Sequence, residues 1–236
     1  SPRALFPITY AHPRILRAME QKTSTAVPSA PTAAFLDPRA LDEKHHFLLR
    51  KLHSLSGIVP IGAFLVEHLL TNSMAFLGPE RFNKSVHALH ELPYLLVLEV
   101  FGIFLPIAFH AAYGIKIAMS AEPNTRAYPY MANRRYTIQR ITGYIALAFM
   151  VVHLMKFRFA HIVGWGDEFM SQAPELADKF ELTRKGLMEW KIAQLNLVVP
   201  VWLTLSMYVI GLWAACYHFA NGIWTFGSSW GITSGV

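Results

Sequence analysis

At 236 residues, 53% hydrophobic and 15% charged, with a mean hydropathy of +0.32, the chain falls well below the charged content of a soluble domain, about a quarter. That shortfall excludes an ordinary soluble globule and points to a membrane protein built on apolar runs near twenty residues. The net charge of +6 does not mark a nucleic-acid binder, because the cationic residues cluster in the connections between apolar runs, as the positive-inside rule requires.

Residues 1 to 44 are rich in Pro, Ala, Thr and Arg and hold no apolar stretch long enough for a signal-peptide core. They read as an extended N-terminal arm, surface-draped or docked on a soluble partner. Residues 45 to 236 read as a transmembrane helix bundle, so the fold class is an all-α membrane protein with four visible spans. Span one runs from about Leu55 to Phe76, entered through RKLHSLSG. Span two runs from about Pro93 to Met119, with a kink expected at Pro106. Span three runs from about Thr137 to Phe159 and span four from about Leu195 to Trp224. The connection between spans three and four carries Asp167, Glu168, Glu175, Asp178, Glu181 and Glu189 and is long enough for a short amphipathic helix. Arg39, Lys44, Arg50 and Lys51 before span one, and Arg126, Arg134 and Arg135 between spans two and three, predict a cytoplasmic N-terminus. The single cysteine, Cys216, excludes a disulfide framework and reads as an inert buried thiol.

Eleven histidines are the anomaly, because ionisable residues inside a membrane are costly and usually functional. FLPIAFHAAYG places His110 in an apolar run, and WAACYHFANGIW does the same for His218. Each has a glycine four residues on, Gly114 and Gly222, which predicts a smooth face beside each ring. Counting about 1.5 Å of rise per residue sets His110 about 12 Å and His218 about 5 to 10 Å from the cytoplasmic side. His68 falls about 20 Å and His153 about 25 Å from that side. Four histidines thus form two layers, each drawing on two spans. Bis-histidine haem needs this arrangement, one imidazole on each side of the iron, whereas zinc would want three or four ligands in one layer. The competing reading of a membrane histidine is a helix–helix hydrogen-bonding residue.

Other residues enter the two layers by position. His53 also has a glycine four on, Gly57, and is a rival ligand for the inner layer. Beside Arg50 and Lys51 at the membrane edge it is better placed to meet a haem propionate or a quinone. Arg140 on span three suits a propionate, since Arg binds carboxylates bidentately. Ser56, with Ser54 and Thr142, is a candidate for backbone, propionate or quinone hydrogen bonds. Glu99 and Glu67 are candidate proton donors to quinone, with satisfaction by a nearby Arg or by water as the structural alternative. His87 and His90 in the outer connection read as solvated.

RKLHSLSG, VEHLL, FLPIAFHAAYG, QRITG, VVHLM and YHFANGIW, in this order, resemble the di-haem cytochrome b anchor subunit of succinate dehydrogenase/fumarate reductase, respiratory complex II. The large single-subunit anchors of succinate:menaquinone oxidoreductases are the most similar group, and the resemblance covers about Lys44 to Thr233. It implies a five-helix anchor with two stacked b haems in a bacterial or archaeal cytoplasmic membrane. The family pattern gives His110 and His218 to the haem near the iron–sulfur subunit and His68 and His153 to the distal one. The resemblance further implies a flavoprotein with FAD and an iron–sulfur subunit on the cytoplasmic face, menaquinone or another quinone as substrate, and higher oligomers of the complex. The family usually has a fifth span after WGIT, which either lies beyond Val236 or is lacking in this protein, and the arm is longer than usual. The direction of catalysis, succinate oxidation or fumarate reduction, is not legible. Two rivals stand beside this reading: a non-catalytic anchor with structural haem, and an unrelated di-haem b-type reductase that works alone.

Overall fold

The computed structural model describes residues 38–121, 125–163, 178–192 and 195–233, with side chains from His45 onward. Most of the arm, and Asp167, Glu168 and Glu175 of the acidic connection, lie outside the described residues. The chain divides into two compact units, Ser1–Leu48 and Leu49–Val236, and both histidine layers belong to the second.

Four helical runs are long and apolar enough to cross a membrane: His45–Leu77, Leu95–Met119, Met131–Phe157 and Val201–Ser229. Large apolar side chains on their surfaces are open, with Leu70, Phe101, Trp202 and Val209 all more than half exposed. In water such surface would be a liability, and in a bilayer it is the solvent-facing side.

The first run is made of α1 (Pro38–Ile58) and α2 (Pro60–Ser73). Pro60 has no N–H for the Ser56 carbonyl, so the ladder loses one bond there. It resumes at once, with Val59 N–H on Leu55 O at 2.9 Å and Ala63 N–H on Val59 O at 3.3 Å. A 3-10 turn, Met74–Leu77, ends at Gly78, whose φ of 101° suits a residue without a Cβ. The helix α3 (Pro79–His90) follows.

The second run, α4 (Leu95–Met119), contains a π-helical segment, Leu98–Phe104, just before Pro106. Leu105 N–H bonds Val100 O, five residues back. Pro106 could not have donated to Gly102, so the wider turn absorbs the irregularity that a kink was expected to take. The third run is α5 (Met131–Phe157). The helix expected in the acidic connection is α6 (Lys179–Met188), capped by Asp178, whose carboxylate accepts from Glu181 N–H. A two-stranded hairpin follows, β1 (Lys191–Ile192) antiparallel to β2 (Leu197–Val198), with Lys191 opposite Val198. The fourth run, α7 (Val201–Ser229), therefore starts at Val201 rather than Leu195, because Pro200 stands at its N-cap and the apolar LNLVV stretch feeds the hairpin.

Small residues let α5 and α7 approach closely. Gly211 leaves room for the Phe149 ring, and Ala214 is fully buried.

In the connections that follow the first and third runs, α3 and α6 dock through Asn83. Its amide donates to Asp178 at 2.9 Å and its carbonyl accepts from Phe180 N–H at 2.8 Å, while Phe82 meets Phe180 edge-on at 5.9 Å. The Asn83 amide, and after it the Glu181 N–H, hold the Asp178 carboxyl below its usual range. A depressed carboxyl stabilises the docked form above its unfolded value and loses that contribution as pH falls through the lowered one. Asn83→Ala is expected to cost about 1–2 kcal/mol locally. Hydrogen exchange at the first-turn amides of α6 should accelerate roughly tenfold, with α5 and α7 unchanged.

Candidate haem-binding layers

At the inner end, α1, α4, α5 and α7 converge. His110 Nδ1 lies 3.0 Å from the His53 carbonyl and 3.3 Å from Ser56 Oγ, and Ser56 Oγ itself donates to the His53 carbonyl at 2.9 Å. His218 Nδ1 lies 3.0 Å from the Gln139 carbonyl. A carbonyl can only accept, so the proton sits on Nδ1 in both rings. Each Nε2 then carries the lone pair a metal needs, and no hydrogen bond among the described residues engages it. Metal-ligating histidines are normally oriented by such a bond from the other nitrogen.

Gln139 does more than accept. Its amide donates to the His218 carbonyl at 3.0 Å, and its oxygen accepts from Asn221 at 2.8 Å. This clamp fixes the register of α5 against α7 at the ring.

The glycines behave differently from expectation. A Cβ on Gly114 would meet His53 Cε1 at 3.0 Å, and one on Gly57 would meet His110 Cε1 at 2.5 Å. A Cβ on Gly143 would meet His218 Cε1 at 2.9 Å, whereas Gly222 faces nothing nearer than Gln139 Nε2 at 3.8 Å. Gly57, Gly114 and Gly143 therefore each receive a ring from a facing helix, because a side chain four residues away on the same helix points along the axis, not across the neighbouring backbone. The HSLSG and HAAYG segments are reciprocal: each histidine rests on the other's glycine. His53 and His110 consequently stack at 4.0 Å with 14° between planes.

His110 and His218 have ring centroids 6.2 Å apart and planes at 86°. In the outer layer His68 and His153 stand at 5.9 Å and 80°. A metal–imidazole bond is about 2 Å and the ring centre lies about 1 Å behind its nitrogen, so two imidazoles on one iron have centroids about 6 Å apart. Both pairs fit a bis-histidine iron on separation and, in the inner pair, on tautomer. The stacked His53–His110 pair, at 4.0 Å, does not fit one, and His53 Nδ1 is buried without a hydrogen-bond partner.

In the outer layer His153 Nδ1 lies 3.3 Å from the Tyr208 hydroxyl. Phe64, Phe149 and Phe157 pack around the two histidines with ring centroids 5.3–5.7 Å away. These rings give the layer an apolar wall.

The other candidates fall outside these pairs. Arg140 donates to the Ala121 carbonyl at 3.1 Å and lies over Tyr136, and Arg50 is exposed. Glu99 is ion-paired with Arg158 at 2.8 Å, the structural alternative foreseen for it. Glu67 accepts from Thr71 Oγ1 at 2.6 Å and lines an open apolar groove along α2. Burial acts first to push His90 below its usual range, ahead of nearby Lys179.

Reading the sequence missed Gln139, Tyr208 and Lys156. Gln139 had a local signal, an amide beside Arg140 in QRITG. Tyr208 and Lys156 look, in sequence, like interfacial residues.

The chain is 36% identical over 187 residues to the succinate dehydrogenase cytochrome b558 subunit of Bacillus subtilis (strain 168), covering 79% of this chain and 81% of that protein. No family model matches it, and no solved structure matches it.

Proposed function

We propose, from the premise that the chain belongs to the family of succinate dehydrogenase cytochrome b subunits, that it is an electron wire across the membrane. In this reading His110 and His218 hold one b haem and His68 and His153 a second. The observation that carries it is two histidine pairs at two depths, each at about the ring separation one iron requires.

When bound, the haems supply one-electron redox chemistry. The rest is the work of this chain's side chains. The His53 and Gln139 carbonyls hold the inner imidazoles in the tautomer that presents Nε2. Gly57 and Gly143 let those rings sit against backbone, and the phenylalanines of the outer layer exclude water.

The partners proposed are a flavoprotein carrying FAD and an iron–sulfur subunit, on the cytoplasmic face that the Lys and Arg pattern assigns to the N-terminus. The electron acceptor proposed is menaquinone or another quinone on the side of the outer layer. Isolation of the chain from its native membrane tests the partnership. Co-purification of a flavoprotein and an iron–sulfur protein, with succinate reducing the haems, is the expected result. A haem protein that purifies without either subunit contradicts it and favours a reductase acting alone.

A further inference from the structure

Lys156 stands one turn beyond His153 on α5, and its side chain is 2% exposed. Its Nζ has no hydrogen-bond partner among the described residues. Three aromatic rings surround it: Trp190 at 4.4 Å, Tyr208 at 5.3 Å and Phe157 at 5.6 Å. Trp190, itself buried, arrives from the outer connection and is tied by the hairpin, its carbonyl accepting from Val199 N–H at 2.9 Å. Tyr208 is shared, with its hydroxyl at His153 Nδ1 and its ring face beneath the ammonium.

Aromatic faces attract a cation through their quadrupole, but they leave an ammonium's three N–H donors without an acceptor oxygen. A buried charge in that state is costly unless paired. Residues three apart share a helix face, so the ammonium lies on the same side of α5 as the outer histidine. A b haem carries carboxylates at its edge, and a carboxylate is the acceptor this box lacks.

We propose that Lys156 is a haem-contacting cation of the outer layer, held in the box of Trp190, Tyr208 and Phe157 to pair with a carboxylate of the haem on His68 and His153. The inference rests on the proposed function and adds to it a residue that sets the outer potential. A positive charge beside the ring favours the reduced state, which holds one more electron, and so raises the midpoint potential.

Potentiometry of both haems in the isolated complex tests this. Lys156→Met should lower the outer midpoint potential and leave the inner one unchanged, while Lys156→Arg keeps both near the parent values. An unchanged outer potential in Lys156→Met overturns the proposal, as does an equal shift in both haems. Altered quinone affinity with unchanged potentials also overturns it, in favour of a quinone contact. Should Lys156→Met fail to accumulate, reduced-minus-oxidised infrared spectra of the parent complex, with the haem propionates labelled with carbon-13, give the same decision. An ion-paired outer propionate band that responds to Lys156→Arg is expected; bands identical in both proteins overturn the pairing. Absence of an outer haem from the parent complex would instead refute the function on which the proposal rests.

Discussion

Alanine in place of His110 removes one b-haem signal and leaves the other. The same loss is expected for His218→Ala, because the two rings stand 6.2 Å apart, the separation that the proposed single iron between them requires. His53 will not rescue it. Its ring stacks on His110 instead of facing His218, and alanine at 110 removes the imidazole that the His53 carbonyl and Ser56 Oγ hold in place. The haem count per chain should fall from two to one, with the remaining signal belonging to the His68–His153 pair. Succinate-driven reduction of that signal should drop by several orders of magnitude, since electrons would have to cross from the cytoplasmic side to the outer layer in one step, about 20–25 Å. Quantitative haem extraction together with low-temperature spectra of each variant measures both effects. Loss of both signals, or of neither, contradicts the pairing.

Gly57→Val is expected to do nearly as much harm without touching a ligand. Even a Cβ there would lie 2.5 Å from the His110 ring, closer than real contacts allow. The ring cannot swing aside cheaply, because its Nδ1 is held by the His53 carbonyl and Ser56 and its other face is covered by His53. Displaced support around a metal ligand typically costs 10–100-fold in metal affinity, about 1.4–2.8 kcal/mol. Inner-haem retention through purification should fall accordingly, with the outer haem intact. Gly222→Ala is the matched control. Its new methyl meets nothing closer than 3.8 Å, and alanine is the better helix former by up to about 1 kcal/mol. It should be neutral or slightly stabilising. Equal damage from both variants would mean that helix packing in general, not the reciprocal seat of the rings, limits haem binding.

The spans and the two layers were legible in the sequence because both depend on one-dimensional quantities. An apolar run near twenty residues has few fates, and a fixed rise per residue turns position into depth. Which glycine serves which histidine was not legible. That depends on how each helix is rotated toward its neighbour, and HxxxG spacing describes only the helix it sits on. Glu99 posed the same difficulty, since Arg158 lies 59 positions away. Lys156 was hidden for a third reason. At the end of an apolar run a lysine ordinarily extends its ammonium to water. Here the hairpin beyond α6 folds Trp190 back over it, and nothing local to Lys156 announces that. The start of α7 was misplaced because LNLVVP is apolar enough to continue a span, yet it forms part of the hairpin before Pro200.

The central claim is two irons, each held by two imidazoles at its own depth. Haem quantification on the purified chain in its complex, with electron paramagnetic resonance of the oxidised protein, tests it most directly. The account predicts two haems b per chain, both low-spin and bis-histidine, resolved as two redox components. One haem per chain, or a high-spin centre with a single histidine, would contradict it.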